Sequence, residues 1–274
     1  MDGQQQQPSQ QNVAKPRWNR RNVGIYSIVA LLMVAGVLYY VIGMNHPVAL
    51  DGQQVSLADM QGLQAAALNS TLATAVGAGS TANYPKQITD NSPLLAVNGK
   101  PNILYIGAEY CPYCAETRWG LILALMRFGN FTGLSYMSST STDVYPNTPT
   151  FSFVNSSYSS PYISFSSVEI QDRNGSALQT PTNFQDAVAT KYGTGGIPFI
   201  DIFNRSIQDG ASASPQVLDG QSWQQLIAAL NDPNSKVAQA VIGNANVFTA
   251  YICSEANVTA PVCGMPYVKS IRLS

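Results

Sequence analysis

One tetrapeptide constrains this chain more than any other stretch. Cys111-Pro112-Tyr113-Cys114 stands directly between a strand-like run, Ile103 to Ile106, and a helix-like run, Ala115 to Phe128. Two cysteines two residues apart at a strand-to-helix switch read as a redox dithiol. A helix start presents unpaired N–H groups and the positive end of the peptide dipoles, and both favour an anion. A thiolate at Cys111 would be stabilised there and its pKa would fall. Pro112 fits the first turn, where the N–H it lacks would have no partner anyway. Cys114, one turn along, is within reach of a mixed disulfide formed at Cys111. Two readings compete. A zinc half-site needs a second ligand pair of similar spacing, whereas the remaining cysteines, Cys253 and Cys263, have nine residues between them. A purely structural short-range disulfide is the other.

Length and composition narrow the field. The chain has 274 residues, a formal net charge of −1 and only 11% charged residues; Ser, Thr, Asn and Gln supply its polar surface. Length alone allows one or two domains. Nothing is basic enough to suggest nucleic acid. The single histidine, His46, excludes a His-rich metal site and a Ser-His-Asp triad within the folded region. Copper delivery would need a histidine near the dithiol, and His46 is far from it in sequence. No cofactor is implied. Four cysteines in two sequence-local pairs suit a compartment where disulfides persist.

Residues 1–22 read as a disordered tail: a Gln-rich start, then the basic cluster Lys15, Arg17, Arg20 and Arg21, with almost nothing apolar to bury. Val23 to Met44 is 22 residues without a charge, enough to cross a bilayer core, where ~20 are needed. Tyr39 and Tyr40 stand near its far end, at the place of an aromatic belt. The basic cluster precedes the run and almost no positive charge follows until Lys86, so the N-terminus is expected in the cytoplasm and residues 45–274 outside the cell. A cleaved signal peptide is the rival; its apolar core spans only ~7–15 residues and a small-x-small site follows it. Asn69, Asn130, Asn155, Asn174, Asn204 and Asn257 each begin an Asn-x-Ser/Thr triplet. Such triplets accept glycans in exported chains, although an Asn- and Ser-rich chain also makes them by chance.

Residues 45–92 are small and polar and read as a linker or helical stalk, with a capping-box-like Ser56/Asp59 pair before an Ala/Leu helix. Leu94–Val97, Asn98-Gly99 and Ile103–Ile106 read as two strands and a turn. After the dithiol, Trp119, Leu121, Ile122, Leu125, Met126 and Phe128 make a helix apolar on most faces, to be buried against a sheet. Leu134–Ser138 is the next expected strand. Residues 139–161, rich in Ser, Thr, Tyr and Pro, read as a surface excursion within an insertion over about 139–183. Residues 163–170 alternate as a strand with one bulge. Phe184–Tyr192 reads as a short helix with Phe184 and Val188 on one face. Gln216–Gly220 is a possible strand, Ser222 and Gln225 cap a helix to Leu230, and two further helices follow, from Pro233 and from Asn246 to Cys253.

At Ile197-Pro198 a proline opens an apolar strand. A trans proline there would mark an ordinary strand start; a cis bond would expose the Ile197 backbone to an incoming peptide. Cys253 and Cys263 flank a surface loop with little core, and a structural disulfide closing the C-terminal segment is expected. The rival is a second redox pair, but Cys253 ends a helix, where the dipole disfavours a thiolate.

The order strand, C-x-x-C, long helix, strand, helix, x-Pro strand, strand, helix resembles the thioredoxin superfamily. Gly107-Ala108-Glu109-Tyr110-Cys111 is similar to the approach to its active site, and Ile197-Pro198 matches its cis-proline. More closely, Pro101–Phe128 to Asn130, with Thr148-Pro149-Thr150-Phe151 and Val168-Glu169, resembles an archaeal family catalogued as domain of unknown function 929. The resemblance covers about residues 90–265. It implies an α/β thioredoxin-like domain over 93–274, a central mixed sheet flanked by helices with the insertion and a C-terminal helical segment. It also implies thiol–disulfide exchange, with Cys111 as nucleophile, Cys114 as resolving thiol and Pro198 beside them; Glu109, Tyr110, Pro112, Tyr113 and Ile197 are the active-site neighbours. Glutaredoxins carry the same tetrapeptide, but their Gly-Gly-x-Asp stretch after the cis-proline strand is missing, so no glutathione site is expected. Glu109 and Glu116 are expected to face solvent or be paired. Substrates would be cysteines of exported proteins, recharged by a redox partner the sequence does not name. The alternative is a binding module on the same fold, an envelope chaperone or assembly factor whose dithiol is a locked disulfide.

Overall fold

The computed structural model describes residues 26, 29–38, 50–255 and 258–273. The chain divides into two compact units, Met1–Met44 and Asn45–Ser274. In the first, residues 29–38 are helical with exposed side chains. The basic tail and half of the apolar run 23–44 lie outside the described residues. Among the described residues no helix is long and apolar enough to cross a membrane.

The second unit opens with helices. The Ser56 hydroxyl accepts the Asp59 N–H at 3.1 Å and caps α1, Leu57–Leu68; Asn69 caps α2, Ser70–Val76, in the same way. The expectation of a linker or stalk over 45–92 needs correction. Leu63, Ala66, Ala67 and Leu72 are buried in the main core, and Arg127 of the dithiol helix's end donates to the Ala67 carbonyl. Small alanines let α1 approach closely, and an Ala-rich face gives little periodic signal. Just upstream, residues 52–55 run along one edge of β5 (Ser135–Ser138). Gly52 N–H meets Tyr136 O, Tyr136 N–H meets Gln53 O and Val55 N–H meets Leu134 O, each at 2.9 Å.

Short strands β1 (Lys86–Gln87) and β2 (Ala96–Val97) lead to β3 (Lys100–Gly107). Asn98 and Gly99 take φ of 52° and 75° between β2 and β3, the two left-handed positions a two-residue hairpin requires. Next come α3 (Pro112–Met126), β4 (Asn130–Thr132), β5, β6 (Pro149–Ser152), β7 (Ser157–Ser159) and β8 (Ser164–Glu169). The chain continues through α4 (Asn183–Tyr192), β9 (Phe199–Ile202), β10 (Ser206–Asp209), α5 (Trp223–Ala229), α6 (Lys236–Glu255) and α7 (Pro266–Lys269).

The result is a mixed six-stranded sheet flanked by helices. β3 pairs with β8 in parallel, from Asn102↔Ser164 to Gly107↔Glu169, and with β9 antiparallel; β10 and β1 continue beyond β9, and β2 joins β3. No bulge interrupts β8 in that register. Alternation along β3 sorts its side chains. Ile103 and Tyr105 join Ile200 and Ile202 in the large core, whereas Leu104 and Ile106 join Phe199, Ile207 and Val188 of α4 in a smaller one. Phe184, expected beside Val188, is 53% exposed.

Every residue of α3 except Tyr113 is buried. The helix packs along α6, a single helix where two were expected. Gly120 permits the approach: a Cβ there would sit 2.5 Å from the Asn244 Nδ2 of α6. The excursion over 139–161 is not all surface. β6 is buried throughout and pairs with β5, and the Trp119 and Trp223 indoles donate to its Pro149 and Thr150 carbonyls at 2.8 and 2.6 Å. Residues 215–218, where a strand was possible, form a 3-10 turn.

Candidate functional site

β3 delivers the tetrapeptide to the start of α3. Cys111 is the capping residue, in extended conformation, and its Sγ accepts the Cys114 N–H at 3.2 Å. Sulfur thus takes the place that a Ser or Asp oxygen usually fills. Pro112 occupies the first turn. Both cysteines are free thiols; Cys111 is 6% exposed and Cys114 0%. Their electrostatics differ in sign. The hydrogen bond from Cys114 pulls the Cys111 thiol below its ordinary pKa, against its own burial, with help from the Cys114 N–H and the Arg118 charge. Burial, then the bond to Cys111, pushes the Cys114 thiol well above its ordinary value. Cys111 therefore ionises first, and Cys114 keeps its proton.

Two walls flank the thiols. On one side the loop after β5 reaches the tetrapeptide: Thr140 N–H meets Tyr110 O at 2.9 Å, and Tyr145 meets the Tyr113 ring edge-on at 6.2 Å. Tyr110, Thr142, Asp143, Gln171 and Arg173 line a polar cleft of about 530 Å³ there. On the other side Ile170 and Ile197 pack against Ala108, Cys111 and Cys114. Together with Ile106, Pro181 and Phe199 they line a smaller cleft of about 210 Å³. The Ile197–Pro198 peptide is cis.

The carboxylates are not where the sequence put them. Glu109 is buried and accepts the Ser152 hydroxyl at 2.5 Å. Glu116 is fully buried. Its Oε2 accepts the Thr117 hydroxyl and the Ala213 N–H, each at 3.3 Å, while Oε1 has no partner, and burial pushes its carboxyl up to about 8. Beneath the dithiol lies a pair that sequence reasoning missed. Arg118 and Glu169, both 0% exposed, meet through Nε–Oε1 at 2.9 Å and Nη2–Oε2 at 2.6 Å. Arg118 Nη2 also donates to the Ala108 carbonyl at 2.7 Å, and its guanidinium stands 5.6 Å from the Tyr105 ring centre. The available signal was the one basic residue in a mostly apolar helix, four residues after Cys114 and seven after Cys111.

Away from this site, Cys253 and Cys263 are joined in a disulfide with Cα atoms 5.4 Å apart. Both pack against the core, and Cys253 also against the small cluster around Ala250, Tyr267 and Val268. Of the glycan triplets, that at Asn204 starts on a buried side chain that donates to the Pro93 carbonyl.

Residues 87–192 match a family model described as Domain of unknown function (DUF929). The matched stretch runs from the second residue of β1 to the end of α4 and contains the dithiol; it is the family that the run around the tetrapeptide resembles. No curated protein and no solved structure matches the chain.

Proposed function

We propose that this chain is a membrane-anchored thiol–disulfide oxidoreductase of thioredoxin-like fold, acting outside the cell on cysteines of exported proteins. The observation that carries the reading is the opposed state of the two thiols: a capping Cys111 Sγ held by an amide N–H, and a fully buried Cys114. Exchange needs one thiolate to attack and one shielded thiol to resolve. The Cys111 thiolate attacks a substrate disulfide, one substrate sulfur leaves as thiolate, and a mixed disulfide forms. Cys114, losing its proton as it attacks Cys111 Sγ, expels the second substrate sulfur. Run in reverse, the same steps oxidise a substrate dithiol.

The fold supports the reading in its connectivity. A strand feeds the dithiol helix, a parallel strand returns beside it, and an antiparallel hairpin opened by Ile197-Pro198 precedes a long helix. The two clefts, one lined by Tyr110 and the other by Ile170 and Ile197, residues that pack against the dithiol cluster, would give an extended substrate a polar and an apolar wall. The location rests on the sequence alone: the basic cluster ahead of the uncharged run 23–44, which would be the anchor. The partner that recharges the site would be another dithiol protein.

The test is alkylation of the reduced full-length chain at mildly acidic pH. Cys111 should be labelled well before Cys114, and Cys114→Ser should trap mixed disulfides with partner proteins. Equal or reversed labelling rates would end the nucleophile assignment.

A further inference from the structure

We infer that Arg118 is a positioning residue that raises the reduction potential of the dithiol, so that the oxidised site gives its disulfide to substrate thiols. The inference rests on the oxidoreductase reading above and adds the direction of electron flow.

Cys111, Cys114 and Arg118 lie three and four residues apart on α3 and so share one helix face. Arg118 is fully buried, where little water screens its charge. It is tied to the dithiol through one atom. The Ala108 carbonyl accepts both Arg118 Nη2, at 2.7 Å, and the Cys111 N–H, at 3.3 Å. Ala108, Cys111 and Cys114 form one buried cluster. Glu169 holds the guanidinium from the sheet, opposite Gly107, through Nε and Nη2; Nη1, also buried, has no partner. The other titratable groups around the thiols and the pair are Tyr105 of β3, whose hydroxyl is buried without a partner, Tyr110, with Asp143 beside it, and Glu109, buried against Ser152 and close enough for its charge to act on Glu169.

The consequence follows from charge. The disulfide is neutral, whereas the reduced site carries a thiolate at Cys111. A buried cation beside it stabilises only the reduced form, and a dithiol whose reduced form is stabilised is an oxidant. In the forward step a substrate thiolate attacks Cys111 Sγ and the Cys111–Cys114 bond breaks. The electron pair leaves on Cys114, which takes a proton. A second substrate thiolate attacks the substrate sulfur of the mixed disulfide and expels Cys111 as thiolate. The substrate loses two electrons and gains a disulfide; the site gains two. Of the two substrate thiol protons, one ends on Cys114 and one in solvent.

The experiment compares the full-length chain with Glu169→Gln and with the double variant Arg118→Met, Glu169→Leu. Replacing a buried ion pair by apolar groups of similar size is often neutral for folding, so the double variant removes the charge without leaving a partner stranded. Two quantities are read: the equilibrium with glutathione, and the Cys111 thiolate absorbance against pH in chemically reduced protein. The double variant should be less oxidising by roughly tenfold, ~30 mV for a two-electron couple, with thiolate formation moved to higher pH. Glu169→Gln, which keeps the cation and removes its counter-charge, should move both readings the other way. A merely structural pair would not give opposite signs. Both variants within twofold of the wild type, or moving together, would overturn the inference. Should the double variant not fold, Glu169→Gln alone carries the test. A wild-type chain that exchanges with no disulfide would refute the oxidoreductase reading instead, and the thiolate titration would still decide the role of Arg118.

Discussion

Glu116→Gln should stabilise this protein at neutral pH and leave it unchanged in acid. The Glu116 carboxyl is fully buried and, chiefly through burial, is pushed to about 8 from an ordinary value of 4.5. In the unfolded chain it ionises near that ordinary value. Between the two, the folded protein holds a proton the unfolded chain has released. Stability is therefore fullest below the unfolded value and falls as pH rises towards the folded one. Each pH unit in that window costs ~1.4 kcal/mol, so the accumulated loss at pH 7 is roughly 3 kcal/mol. Glutamine keeps an acceptor for the Ala213 N–H and has no proton to lose. Urea denaturation of wild type and variant should agree within ~1 kcal/mol at pH 4.5 and diverge to ~3 kcal/mol at pH 7, the variant being the more stable. Asp201 and Asp51, whose burial raises their carboxyls to about 7 and about 6, tilt both profiles alike, so the difference isolates Glu116. Parallel profiles, or a variant less stable at pH 8, would refute the reasoning.

Other substitutions test the packing. Gly120→Ala gains at most ~1 kcal/mol of helix propensity, but its Cβ would meet Asn244 at 2.5 Å. A net loss of ~1–3 kcal/mol should appear as a lower Tm, and a stabilised variant would show that α6 can retreat. Tyr136→Phe removes a hydroxyl that donates to Asp59 at 2.5 Å and accepts the Ser56 N–H at 3.1 Å; ~1–3 kcal/mol should be lost in urea denaturation, and no change would mean that water replaces it. Replacing both Cys253 and Cys263 by alanine should lower stability by ~3 kcal/mol for a loop of this size while dithiol exchange at Cys111 is retained; normal stability with lost exchange would make the pair a relay.

Signals local in sequence were legible. Asn98-Gly99, the Ser222/Gln225 capping box and the switch from β3 to α3 all depend on residues within a turn of each other, and the structure forms each of them. What failed depends on distant partners. Arg118 finds Glu169 51 residues away, and Glu109 finds Ser152 43 away, so charges with no partner in their own stretch of chain are interior. The polar run after β5 hides β6, because the indoles of Trp119 and Trp223 that meet its carbonyls belong to other elements. Phe184 fails in the opposite sense: periodicity marked an inward face, yet its side chain is exposed.

The strip of chain at 52–55 sets where a usable fragment can begin. It occupies the outer edge of β5, with three bonds at 2.9 Å and a bridge from Gln54 to Ser135. Cutting at residue 57 keeps the full length of α1 to α7 and loses only the Ser56 cap of α1 among them, and cutting at residue 87 keeps the whole matched stretch. Either cut strips β5 of that neighbour and leaves the Tyr136 N–H and C=O open beside a ribbon of apolar and aromatic side chains. Such an edge is a template for another chain. Shortened forms starting beyond residue 55 should therefore go to inclusion bodies or open-ended assemblies, and a fragment for biochemistry should keep residues from 50 onward.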